Sequence, residues 1–165
     1  MPDEPNFLKG TANKRKNKRK DPYMDQLGRV PPQAVDLERA VLGAIMLDKD
    51  ALTKVIDTLR PSSFYDDRHE CTYRAMLALF EKTHPVDLLT VSEELRKAGE
   101  LERVGGAYYL VELTNSVVSA ANIEYHARII AQRHIRRELI RVSSEVLKDS
   151  YEDTIDVFDL LDKAE

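Results

Sequence analysis

Residues Pro31–Asp48 read PPQAVDLERAVLGAIMLD, and His84–Leu113 read HPVDLLTVSEELRKAGELERVGGAYYLVEL. The first opens on two prolines, which cannot sit inside a helix. Asp36 and Glu38 follow in the first turn, where carboxylates suit the positive end of the helix dipole. Leu37, Val41, Ala44, Ile45 and Met46 then recur at helical spacing. The second stretch breaks at His84-Pro85, takes Asp87 or Thr90 as a cap and runs as a helix to Ala98. Gly99 stops it in the left-handed position. After a short turn at Leu101–Val104, Gly105-Gly106 opens another helix through Tyr108, Tyr109, Leu110 and Leu113 to Asn115.

Reading outward from these stretches, Asp48 is expected to cap a short helix from Lys49 to Leu59 that stops before Pro61. Asp66 or Asp67 opens the next, to about Lys82, with Tyr73, Met76, Leu77 and Phe80 on one face. No convincing strand is found, and Val117-Val118 is too short to be one. From Ala120 the pattern lengthens. Ile123, Ala127, Ala131, Ile135, Leu139, Val142 and Val146 form one stripe, and Ile130, Ile140 and Leu147 lie beside it. No Pro or Gly interrupts Asn122–Asp149, which predicts a helix of roughly 40 Å. Thr154 is expected to cap a last helix carrying Ile155, Phe158 and Leu161. The chain thus reads as all-α, with a disordered basic tail (1–29), a compact helical head (30–118) and a long helical hairpin (119–165).

Two helices share one contact seam, so a protruding hairpin cannot bury both of its stripes alone. Either it folds back on its own domain or a second copy covers it. The second course would place Ile135, Leu139, Val142, Val146, Phe158 and Leu161 at a self-association surface. The last residues, Ala164-Glu165, stand in mid-helix without a cap, from which we expect a piece of a longer protein.

Hydrophobic residues make up 42% of the 165, enough for a core. No apolar run approaches the ~20 residues of a membrane span, and no secretory h-region opens the chain. A single cysteine, Cys71, fits a reducing cytoplasm. The net charge of −4 divides into +5 over residues 1–20 and −9 over the remainder. The acidic body repels nucleic acid at long range. The run Lys14–Lys20 is either a solvated tail or a source of weak, salt-sensitive phosphate contact.

The search for catalytic chemistry is negative. No G-x-x-x-x-G-K-[ST] phosphate loop is present, and Gly105-Gly106 is followed by Ala107 and Tyr108. His69 and Cys71 point apart on a helix, and His126 and His134 are two turns apart, so neither pair suits a metal. Glu93-Glu94 and Asp66-Asp67 are adjacent surface charges. No catalytic, cofactor or metal site is expected in this chain. Arg133, Arg137 and Arg141 share a strip of the long helix. They could pair with Glu138, Glu145 or a hairpin mate, face a partner protein, or touch nucleic acid.

In order and spacing, Pro32, Glu38, Val41-Leu42-Gly43, Phe64-Tyr65, His69, Asp87, Thr90, Leu95, Gly105-Gly106, Tyr109-Leu110, Ala121-Asn122 and the Arg-rich start of the hairpin are informative. From Val30 to about Glu165 the chain resembles the N-terminal domain of the bacterial replicative DNA helicase (DnaB-type). It departs from many relatives at Asp36-Leu37-Glu38, where Leu replaces Ala and Asp replaces Glu, and the basic tail lies outside the family pattern. The resemblance implies a helical head and a hairpin that pairs subunits, three pairs forming the collar of a hexamer. It also implies a following ATPase domain, absent here, that uses ATP and Mg to unwind DNA. The collar binds the C-terminal domain of primase in the primosome, and a helicase loader is a possible further partner. For primase docking, Asp36 and Tyr109 are our candidates, against their simpler roles as a dipole carboxylate and a core ring. A competing reading is an independent helical nucleic-acid-binding or adaptor protein that uses the basic tail.

Overall fold

The structure, a computed structural model, describes residues 28–117 and 119–164. The basic run Lys14–Lys20 and the final residue lie outside these. All regular elements among the described residues are helical: α1 (Val35–Leu47), α2 (Ala51–Val55), a 3-10 turn (Pro61–Ser63), α3 (Asp67–Glu81), α4 (Leu88–Lys97), α5 (Leu101–Val104), α6 (Gly106–Asn115), α7 (Ile123–Asp149) and α8 (Val157–Ala164). The all-α expectation is borne out.

Local chemistry explains most boundaries. Asp66 adopts an extended backbone and its carboxylate accepts the Arg68 N–H, which starts α3. Asp87 and Thr90 form a reciprocal capping box at α4. The Glu100 N–H returns to the Leu95 carbonyl across Gly99, whose φ is +69°. At the end of α3 the same device uses Thr83 at φ +56°, and the His84 N–H returns to the Leu79 carbonyl.

Two sequence expectations change. The helix expected over Lys49–Leu59 is only Ala51–Val55, with Asp48 accepting the Asp50 N–H in the turn before it. A 3-10 turn follows, in which the Ser63 hydroxyl accepts the Arg60 N–H. The last helix starts at Val157 rather than after Thr154, because the Asp156 carboxylate takes the Phe158 N–H. Side-chain caps act only over the next two or three amides, so the nearer acid wins.

Helix α1 forms the spine of the head. It packs against α6 and α7, while α3 packs against α4. Val41, Leu42, Ile45, Leu95, Leu110 and Leu113 are fully enclosed, each burial worth about 1.5–3 kcal/mol. The Phe64 and Tyr73 rings meet at 4.9 Å, and the Tyr73 hydroxyl donates to the Leu59 carbonyl. Burial pushes the Tyr73 phenol up to about 12. At Gly43, α1 touches α6 so closely that a Cβ would overlap the Leu113 carbonyl oxygen and the Val117 side chain. The first turns of α7 join this core through Ile123, Ala127 and Ile130.

Candidate docking and self-association surfaces

A line of buried polar groups crosses the head. The Glu38 carboxylate accepts the Tyr65 N–H at 2.7 Å and the Asp66 N–H at 3.4 Å. It also meets His69 Nδ1 at 2.7 Å, and His69 Nε2 meets the Tyr109 hydroxyl at 2.7 Å. Glu38 thus leaves its own helix end unserved and instead fixes the loop before α3. His69 joins α1 to α6 through α3. These partners are 31 and 40 residues apart in sequence, so no spacing rule links them. Sequence reasoning tested His69 as a metal ligand and counted it in the family pattern, and missed this role.

Tyr109, a docking candidate whose simpler role is a core ring, is buried in the head. It is 5% exposed, with its ring beneath the guanidinium groups of Arg68 at 4.2 Å and Arg39 at 5.8 Å. Burial raises its phenol, and Arg68 opposes that shift. Its neighbour Tyr108 is 75% exposed, as adjacent helical positions about 100° apart allow. The spacing held the signal, since Tyr109 lies four residues before the buried Leu113. Asp36 is exposed, one turn from Arg39 along α1. Arg39 and Arg68 thus cover the buried line at Tyr109, with Asp36 and Tyr108 exposed on the helices that carry Arg39 and Tyr109.

The second surface belongs to the hairpin. Lys163 of α8 reaches Asp149 at 2.6 Å and Glu145 at 3.7 Å on α7. Val142, Val146, Leu147 and Ala164 line a shallow groove there. Among the described residues, other apolar side chains of the hairpin stay exposed. Leu139 is 62% and Phe158 77% exposed, and Ile135 and Leu161 are exposed as well. Of the six residues assigned to self-association, four therefore face out, and Val142 and Val146 are half-buried.

The arginine strip divides. Arg141 pairs with Glu138 at 3.0 Å and Glu145 at 2.7 Å along its own helix, one of the roles expected for it. Arg137 instead turns into the head, donating to the Pro32 carbonyl at 2.8 Å and the Ser63 carbonyl at 2.7 Å.

Residues 30–132 match the family of DnaB-like helicase N terminal domains. The chain is 52% identical over 140 residues to the replicative DNA helicase DnaB of Rhodothermus marinus, covering 85% of this chain and 15% of that protein. It is 47% identical over 137 residues to the replicative DNA helicase DnaC of Bacillus subtilis, covering 83% and 30%. This chain thus spans less than a third of either relative. Among solved structures, the N-terminal domain of DnaB helicase from Mycobacterium tuberculosis superposes with a TM-score of 0.78 at 39% identity, over 82% of this chain and 95% of that one. A DnaB-like replicative helicase, described with its interactions with primase, superposes with a TM-score of 0.63 at 26% identity, over 70% and 27%.

Proposed function

The chain belongs to the DnaB-like helicase N-terminal domain family, and on that footing we propose that it is the non-catalytic assembly and docking module of a hexameric replicative helicase. In this reading its hairpin pairs two subunits, and three pairs build the collar of the ring. A motor domain beyond this chain binds ATP and Mg and unwinds DNA during replication in the cytoplasm. One observation carries the proposal: Ile135, Leu139, Phe158 and Leu161 are exposed on one hairpin. Each such side chain gains roughly 1.5–3 kcal/mol by leaving water, and a second hairpin supplies the matching stripe.

Sedimentation velocity on this chain tests it. We expect the parent to form a dimer. Leu139→Asp with Leu161→Asp should sediment as a monomer with unchanged helix content. A dimer that survives both charges would reject the hairpin as the interface.

We further assign the face of Asp36, Arg39, Arg68 and Tyr108 to the C-terminal domain of primase. Tyr109 supports this face from beneath. The relative described with primase shares this fold, and an exposed phenol suits an interface anchor. A helicase loader is a further partner of the assembled collar, at a position we leave unassigned. The basic tail adds only weak, salt-dependent phosphate contact.

A further inference from the structure

We infer that Arg137 is a latch that holds the hairpin at one angle on the head, and so sets the geometry in which two chains pair. The second half of this statement rests on the self-association reading, and the first half does not.

The apolar seam between α7 and the head ends early. Ile123, Ala127 and Ile130 are buried. Arg137 lies two turns beyond Ile130, on the same side of the helix by its spacing of seven. At that point apolar contact gives way to a fork. Nη1 donates to the Pro32 carbonyl, just before α1, and Nη2 donates to the Ser63 carbonyl, at the end of the 3-10 turn. The guanidinium also stands 5.5 Å from the Tyr65 ring centre. Burial draws its pKa down, and the Glu38 charge works against that shift. Its charge is therefore partly withdrawn from water, and its donors are directed at backbone groups of two separate segments.

The side-chain hydrogen bonds that α7 makes beyond Arg137 stay within the hairpin: Arg141 to Glu138 and Glu145, Ser144 to Ile140, and Lys163 to Asp149. Arg137 is thus the outermost polar tie between the hairpin and the head among the described residues. Without this fork the ties that remain lie nearer the base of α7, and a small rotation there is magnified along the remaining turns. Lysine is a poor substitute, because a compact ammonium lacks the planar fork that reaches two carbonyls. The loop that Arg137 grips at Ser63 is the one that Glu38 grips at Tyr65 and Asp66, so the latch closes on a rigid part of the head.

The test is a distance distribution between nitroxides at Glu102→Cys on the head and Lys148→Cys near the hairpin tip. The background is Cys71→Ala, diluted into excess unlabelled chain so that only distances within one chain are read. The parent should give one narrow distribution. Arg137→Met, which keeps the apolar stem, should give a broadened or displaced one with parental hydrogen-exchange protection in α1 and α6. Arg137→Lys should fall between the two. Parental distributions in both variants would overturn the latch. Sedimentation on the same proteins separates the two halves of the inference. If the parent pairs, Arg137→Met should pair roughly tenfold more weakly, and equal affinity would overturn the link to pairing. A monomeric parent whose distribution still widens in Arg137→Met would reject the self-association reading and leave the latch standing.

Discussion

His69 Nδ1 lies 2.7 Å from Glu38 Oε2 in a place where neither side chain meets solvent. A neutral imidazole protonated at Nδ1 satisfies every partner, since it donates to Glu38 and accepts from the Tyr109 hydroxyl at Nε2. Glu38 remains the acceptor for two backbone amides as well. The group is a polar network closed on itself, which fixes α1, α3 and α6 in one arrangement.

Opening that network should be costly. Glu38→Ala removes an acceptor shared by the Tyr65 N–H and His69, and we expect a loss of about 2–5 kcal/mol in urea unfolding. Tyr109→Phe removes one hydroxyl and should lose about 1–3 kcal/mol. If Glu38→Ala unfolds within about 0.5 kcal/mol of the parent, the network has no structural weight.

Gly43 and Gly99 should respond to alanine for different reasons. At Gly43 the new methyl meets the backbone of α6, so Gly43→Ala should destabilise by about 1–3 kcal/mol or more through forced helix separation. At Gly99 there is open space but φ is +69°, so Gly99→Ala should cost about 1 kcal/mol of backbone strain alone. Thermal unfolding with hydrogen exchange distinguishes them. Only Gly43→Ala should speed exchange in both α1 and α6.

Acid should weaken the head through Asp66. Burial alone would raise its pKa, but the hydrogen bonds from the Arg68 guanidinium and backbone outweigh that effect, and the net value lies below the ordinary 3.8. A carboxylate with a depressed folded-state pKa contributes stability that is full above its unfolded pKa. That contribution is lost as pH falls through the folded value. Asp66→Asn, which still caps a helix, should therefore flatten the decline in stability below pH 3.8. Parallel pH–stability curves for the variant and the parent would exclude this assignment.

For the primase face, Tyr108→Ala should weaken binding of the primase C-terminal domain by about 2 kcal/mol, as truncation of an aromatic anchor does. Asp36→Ala should weaken it less. Both residues are exposed, so melting temperatures should not move. Calorimetry showing parental affinity in both variants would place the docking surface elsewhere.

Much of the fold was readable from residue order alone, because its determinants act over a few positions. Asp87 with Thr90 announces α4, Gly99 ends it, and the four-residue steps from Ile123 onward announce α7. The family also follows from order and spacing. The Glu38–His69–Tyr109 line and the Arg137 latch could not be read this way. Each joins residues tens of positions apart, and an acid in a first turn or an arginine on a long helix has an adequate local explanation already. Tyr108 and Tyr109 show the same limit at closer range: helical geometry says that the two rings diverge, and only the packing of α6 against α1 buries Tyr109 and leaves Tyr108 in water. Local backbone chemistry is encoded in neighbouring residues, whereas the partner of a buried charge is set by which helices close around it.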